Sequence, residues 1–468
     1  MSEKLFINAK FPDFEANRMV WGEVGVSGGK IDYVHMSSEH EKPLPEQTNP
    51  ALPPHGERID VHGHVLSPGF VDIHMHEENF VEEGYKYIVS KMLLRQGVTT
   101  CVGGNCGNRR SSIKVFRNGL ERLGGSPVNY MMLVGYNSIR EEAGVPLFEK
   151  PTKEAWEAIR AKIEEDIAYG ACGLSFGLEY GPGIHMEEML RAVDLLPDKG
   201  TLVSAHYRKD ATGALDSIRE MIELQSKIEN PFQISHLSSC SAMGQMREAL
   251  EVIHEAIDKY PTLNYDTYPY NAFSTRLGTE VFADGCFEKW GKSYDSVLLT
   301  DDPYKGMYCN KELFERARKE YPNMYAVAFV MNEEDIKEAI IHEDGMIGSD
   351  ATVKHGNGHP RAAGTFPRIL GKYVREEKAL PMIDALRKMS YLPAQRMRLY
   401  AKGKIAVHCD ADLVIFDPDT IIDRATYEDL LPPDGIEAVY IRGERAVDKQ
   451  TVLREDLGSF IEPDGRKS

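Results

Sequence analysis

Eight short apolar runs recur between residues 70 and 350, and helical stretches separate most of them. The runs are Phe70–His76, Thr99–Cys106, Tyr130–Tyr136, Ala171–Glu179, Leu202–His206, Phe232–His236, Leu263–Tyr270 and Gly345–Asp350. Each has the length and apolar content of a buried strand. Tyr85–Gln96, Lys153–Ala168, Met186–Leu196, Gly213–Glu229 and Met243–Asp258 read as helices between them. That alternation predicts an α/β protein whose core is a (β/α)8, TIM-like barrel. The C-terminal ends of such strands converge on one mouth, where the active site lies.

The flanks read differently. Leu5–Ala9, Glu23–Val26, Ile31–Val34 and Arg58–Val65 are candidate strands, with a polar, Pro-rich loop from Ser37 to Glu57. Ala411–Asp417 and Gly435–Gly443 repeat the pattern near the other end. Short strands joined by glycine turns suggest a small β-sandwich domain formed by both chain ends, 1–65 and 403–468. The barrel, 66–402, is then inserted between them. Runs seven and eight lie too far apart for one crossover helix, so an insertion is expected over about 277–340, on the face where lids occur.

The unusual polar residues fall at the strand ends. His74 and His76 close the first run and, being alternate residues of a strand, point the same way. Cys106 closes the second, His206 the fifth, His236 the sixth and Asp350 the eighth. Six metal-capable side chains thus come from five strand ends. Imidazole, thiolate and carboxylate together suit zinc or a similar borderline metal. Zinc with an open coordination position brings the pKa of its water to about 7. A neighbouring carboxylate can accept the proton of that water and pass it to a leaving group, and Asp350 is the candidate. The combination points to hydrolysis of an amide-like or ester-like bond.

Other residues carry less. Cys101 is expected to face the core of the second strand, and His185 to sit in a loop. His62 and His64 precede the Ser67-Pro68-Gly69 turn, at the wrong end of the strand to act as ligands, and read as surface residues. His355 and His359 follow the eighth run and could line the site without binding metal.

Bulk properties limit the partners. The 468 residues include 73 acidic and 55 basic ones, a formal charge of -18 that would repel nucleic acid. No window approaches the roughly 18 continuous apolar residues of a membrane span. The N-terminus lacks the apolar core of a signal peptide. Seven scattered cysteines without a CxxC pair fit a reducing compartment, so a cytoplasmic protein is expected, with a small-molecule partner.

The motifs resemble one family. Ser67-Pro-Gly-Phe-Val-Asp-Ile-His-Met-His76 looks like the first-strand motif of the amidohydrolase superfamily. Gly104-Asn-Cys-Gly107, Gly173-Leu-Ser-Phe-Gly-Leu178, Gln233-Ile-Ser-His236, Tyr268-Pro-Tyr270, Gly348-Ser-Asp350, His359-Pro-Arg361 and Gly364-Thr-Phe-Pro-Arg368 are similar to the zinc-dependent N-acyl-D-amino-acid deacylases, or D-aminoacylases. The resemblance implies that Cys106, His206 and His236 hold one tight zinc. It implies a second, weaker position at His74, His76 and Asp350, with Cys106 able to bridge. Asp350 would be general base and then acid. Tyr268 and Ser274 match residues that bind the substrate carboxylate.

Three positions depart from the family pattern. Ser238 stands where a carboxylate-binding lysine is usual, Tyr136 where histidine is common, and Glu179 where an apolar residue is usual. Arg276 or Arg361 could replace the lysine, or the substrate could be a cyclic amide or carry a positive group. Glu179 reads slightly better as a solvated loop carboxylate than as a substrate contact. The leading expectation is a metal-dependent amidohydrolase that deacylates an N-acyl-D-amino acid or a related small amide. A cyclic-amide hydrolase of the hydantoinase or dihydroorotase kind is the alternative, and a non-catalytic relative is a third.

Overall fold

The computed structural model describes residues 3–37, 56–80, 86–354 and 356–465. The eight expected strands are present as β1 (Phe70–Asp72), β2 (Val98–Gly103), β3 (Asn129–Gly135), β4 (Gly173–Gly177), β5 (Leu202–His206), β6 (Phe232–Ile234), β7 (Leu263–Thr267) and β8 (Gly345–Ile347). They form one parallel sheet in sequence order. A parallel bridge between Met75 and Ala351 joins its first and last strands. The His76 amide donates to the Ala351 carbonyl at 2.8 Å, and the Asp350 amide to the His74 carbonyl at 2.7 Å. The ring therefore closes at the level of the candidate site residues.

Buried parallel strands need apolar residues on both faces, and every residue of β2, β3, β4 and β5 is buried. Amphipathic helices cover the outside. Lys153–Ala168 starts where Thr152 Oγ1 accepts the Ala155 amide hydrogen at 3.2 Å. It buries Trp156, Ile159 and Ile163, spaced as one helical face. Met186–Val193, Ala214–Gln225 and Met246–Ile257 occupy the other expected positions, trimmed at their ends. The helix expected over Tyr85–Gln96 runs from Val89 to Arg95, and Tyr85 lies outside the described residues.

Both chain ends share a nine-stranded sheet. The joint is between Val65–Pro68 and Leu413–Phe416, which run antiparallel with Ser67 opposite Val414. Phe6, Phe11, Leu66, Leu413 and Ile415 belong to a core separate from that of the barrel. Much of the Ser37–Glu57 loop lies outside the described residues.

The excursion between β7 and β8 differs in its limits from the expectation. Its own sheet begins at Phe273–Arg276, which pairs antiparallel with Tyr325–Ala328; Val297–Leu299 adds the third strand. Its last helix, Glu333–Ile341, belongs to the barrel. It buries Ile336, Ala339 and Ile340, and its Ala339 carbonyl accepts the Tyr265 hydroxyl of β7 at 2.8 Å. Among the described residues, no helix is long and apolar enough to cross a membrane.

Candidate metal centre and substrate cleft

The regular ladder stops just short of the chemistry at three strand ends. Cys106, His236 and Asp350 have φ of 54°, 34° and 49°. Non-glycine residues rarely adopt this left-handed conformation, and it costs about 1–3 kcal/mol where tertiary structure imposes it. The turn at each position aims the side chain across the mouth. Around Cys106 the chain also needs Gly104, at φ 77°, because a Cβ there would strike the Leu133 carbonyl.

Buried carboxylates hold these turns. Asp72 ends β1, and its Oδ1 accepts the Ser349 amide hydrogen at 2.8 Å, fixing the strand that leads to Asp350. Burial pushes the Asp72 carboxyl up to about 7 against the hydrogen bonds from Ser349 and His74. Asp266 of β7 is 1% exposed. Its Oδ1 accepts the His236 amide hydrogen at 2.9 Å and lies 3.0 Å from His74 Nδ1. Ser239 Oγ sits 2.6 Å from His236 Nδ1.

The six expected ligand residues meet here. Cys106 Sγ lies 3.3 Å from His74 Nε2 and 3.2 Å from His236 Nε2. His206 Nδ1 is 2.9 Å from His236 Nε2. Asp350 Oδ1 is 3.2 Å from His76 Nε2 and 3.6 Å from His74 Nε2. Two donor sets follow, each within 4.8 Å: Cys106, His206 and His236; and His74, His76, Cys106 and Asp350. Cys106 belongs to both.

The electrostatics fit a cation. Burial alone would raise the Cys106 thiol, but the charges of His236 and His74 and hydrogen bonds from His206 and His236 draw it well below the ordinary range. Asp350 is likewise held well below, burial being outweighed by Arg361, His76, His236 and His74. In return the His74, His76 and His206 imidazoles are driven toward protonation. Burial lowers His76, but Asp350 and Cys106 raise it to about 9. Burial also lowers His206, but Cys106 and Glu179 bring it to about 9. A buried set of anionic donors that draws protons onto His74, His76 and His206 is short of positive charge, which a divalent metal would supply.

The other expected residues divide into two groups. Arg361, 1% exposed, puts Nη2 2.9 Å from Asp350 Oδ2, and its guanidinium carbon lies 4.7 Å from the Tyr268 ring centroid. Its Nε and Nη1 and the Ser274 Oγ are buried with no hydrogen-bond partner among the described residues. Arg361, Tyr268 and Ser274 therefore stand together. Glu179 is also in the site, 7% exposed, with Oε2 3.1 Å from His206 Nε2. That corrects the expectation of a solvated loop carboxylate: β5 and Lys289 of the excursion cover it, the Lys289 Nζ being 3.8 Å from Glu179 Oε1.

Ser238 and Tyr136 do not reach the cleft. Ser238 is fully buried and hydrogen-bonded to Thr267. Tyr136 begins the helix Tyr136–Glu142, so its ring turns to the outside of the barrel and its hydroxyl donates to Glu188 Oε1 at 2.7 Å. His359 is fully buried, with Nε2 3.0 Å from the Ala272 carbonyl, and His355 lies outside the described residues. Cys101 is buried in the core and His185 is an exposed residue immediately before the helix Met186–Val193. Asp72 and Asp266 were not anticipated. Their signal is a carboxylate within an otherwise apolar parallel strand.

A cleft of about 330 Å³ opens onto the cluster, lined by His76, Cys106, His236, Ser274 and Asp350 among others. An inner recess of about 30 Å³ lies between Glu179, His206, Asp210 and Ser274.

Residues 65–446 match the model of the amidohydrolase family. A D-aminoacylase of Alcaligenes xylosoxydans xylosoxydans is 30% identical over 441 residues, covering 86% of this chain and 88% of that protein. An N-acyl-D-glutamate deacylase of the same organism is 30% identical over 429 residues, covering 83% and 85%. A solved D-aminoacylase with a binuclear metal centre superposes with a TM-score of 0.85 at 27% identity, covering 98% of this chain and 99% of that one.

Proposed function

We propose, from the premise that this chain belongs to the amidohydrolase family and is a metal-dependent hydrolase of non-peptide amide bonds, that it deacylates N-acyl-D-amino acids. The observation that carries the substrate is the trio of buried donors beside the metal cluster that have no hydrogen-bond partner among the described residues: Arg361 Nε, Arg361 Nη1 and Ser274 Oγ. A buried donor without a partner is costly, and a carboxylate accepts from several at once. The Tyr268 ring lies against the Arg361 guanidinium, its centroid 4.7 Å from the guanidinium carbon, so its hydroxyl can join them. The D configuration is taken from the deacylases this chain resembles.

Zinc suits the donors, with Cys106, His206 and His236 as the tight position and His74, His76 and Asp350 completing a second around the shared Cys106. A bound metal would polarise the acyl carbonyl and acidify a water. Asp350 accepts that proton at Oδ1 and returns it to the departing amide nitrogen. Arg361 keeps Asp350 ionised through Oδ2 and orients it. Arg361, Ser274 and Tyr268 fix the amino-acid end, so that the scissile amide lies over the cluster. Asp266 and Glu179 orient His74 and His206.

A hydrolysis panel tests the reading. It pairs N-acetyl and N-formyl D- and L-amino acids with hydantoins, dihydropyrimidines and neutral amides. The reading predicts turnover of D-amino-acid derivatives and little of the rest. Turnover of cyclic or uncharged amides alone would contradict it.

A further inference from the structure

Two arginines in the cleft are not used by this mechanism. Arg110, in the loop after β2, and Arg276, at the end of the strand Phe273–Arg276, line the same cleft as His76, Cys106 and Asp350. Neither guanidinium has a carboxylate within 4.0 Å among the described residues. Arg110 Nη2 reaches Thr352 Oγ1 at 3.4 Å, and its Nε is buried without a hydrogen-bond partner among the described residues. Glu77, the adjoining acid, spends its oxygens on main chain: Oε1 accepts the Arg110 amide hydrogen at 2.6 Å and Oε2 that of Gly104 at 3.0 Å. The contrast with Arg109 is sharp. Its guanidinium is paired with Asp166 and with Glu142, at 3.0 Å from the latter.

Arg276 stands opposite Tyr325 in the antiparallel pair, and it lies two residues beyond Ser274, on the same face of the strand. Tyr325 also lines the cleft. Burial would raise its phenol. Arg110, a hydrogen bond to Thr352, His76 and Arg276 outweigh burial and hold the phenol below the usual range. That is the response of an acid to a positive potential. The remaining acid on the wall, Glu141, is exposed at the rim.

We propose that Arg110, Arg276 and Tyr325 form a second anion subsite, so that the preferred substrates carry a further carboxylate besides the one held at Arg361. The inference rests on the deacylase reading. A guanidinium without an acid, half-buried at Arg110 and exposed at Arg276, can grip a carboxylate with paired hydrogen bonds. A neutral group of the same shape leaves the donors unpaired and is discriminated against. The second carboxylate belongs either to the amino-acid side chain or to the acyl group.

Two isosteric pairs distinguish these sources: N-acetyl-D-glutamate against N-acetyl-D-glutamine, and N-succinyl-D-alanine against its terminal amide. Both kcat/KM and calorimetric affinity are read in the wild type, in Arg276→Gln and in the Arg110→Gln/Arg276→Gln double variant. In one pair the charged member should lead by about tenfold or more. The ratio should shrink with added salt and fall toward one in the variants; the single change, at an exposed strand end, guards against misfolding of the double one. The proposal is overturned if both wild-type ratios are near or below one, or if the variants leave the ratio unchanged. Turnover of N-acyl-D-amino acids without charge preference sinks the subsite and leaves the deacylase reading standing. Charge-selective binding that the variants lose, without turnover of any N-acyl-D-amino acid, does the reverse.

Discussion

Arg361 Nη2 stands 2.9 Å from Asp350 Oδ2 while two other nitrogens of the same guanidinium are buried with no hydrogen-bond partner among the described residues. In the proposed reaction one arginine would both orient the proton-handling carboxylate and keep donors for a substrate carboxylate. Arg361→Lys retains the charge and loses the fork. It should lower kcat/KM by about 10²-fold, on the scale of one or two charge-assisted hydrogen bonds. Steady-state kinetics on an N-acetyl-D-amino acid check this, and a change under threefold would remove Arg361 from the carboxylate site.

Asp350→Asn keeps the side-chain shape, and asparagine tolerates the left-handed φ of 49° at this position. The far-UV spectrum should stay native. Turnover should fall about 10²–10⁴-fold, the usual size of a general acid–base contribution. Undiminished turnover would show that another group handles the proton.

Glu179 accepts from His206 Nε2, which leaves Nδ1 free to face Cys106 and His236. Glu179→Leu removes that acceptor. Zinc affinity should drop by about 10–100-fold, as for other partners of ligand histidines. Competition with a chromophoric chelator measures it, and unchanged affinity would make Glu179 a cleft-lining group only.

Lys388 gives a pH signature away from the site. Its Nζ donates to the Gly345 carbonyl at 3.0 Å, and burial lowers its pKa from 10.5 to about 8. The unfolded chain therefore binds more protons than the folded one between about pH 8 and 10.5. Lys388 adds to stability above 10.5 and loses that contribution as pH falls to about 8. Relative to Lys388→Met, wild-type stability should climb with pH across this window, by at most about 1.4 kcal/mol per unit. Denaturant titrations at several pH values test it; parallel curves would mean the amine stays charged.

The barrel was legible because its strands are apolar runs and its helices keep a 3.6-residue face, as Trp156, Ile159 and Ile163 show. The strand ends were less so. Cys106, His236 and Asp350 leave the ladder in left-handed turns that only the flanking glycines of Cys106 announce. Asp72 and Asp266 act across strands distant in sequence, so local patterns say nothing of their partners. Tyr136 and Ser238 are singled out by comparison with a family, yet the helix begun by Tyr136 and the bond from Ser238 to Thr267 turn both from the cleft. Glu179 is paired with Lys289, which lies more than a hundred residues later in the chain.

The most direct measurement is a zinc titration of metal-depleted protein. Metal bound per chain and hydrolysis of an N-acetyl-D-amino acid and its L-enantiomer are followed in the same samples, with Cys106→Ala alongside. Turnover of the D-isomer should rise with the first bound zinc, the L-isomer should stay near background, and Cys106→Ala should bind little metal and remain silent. Full activity without metal, equal use of the two enantiomers, or an active Cys106→Ala protein would contradict a Cys106-centred metal site driving D-selective deacylation.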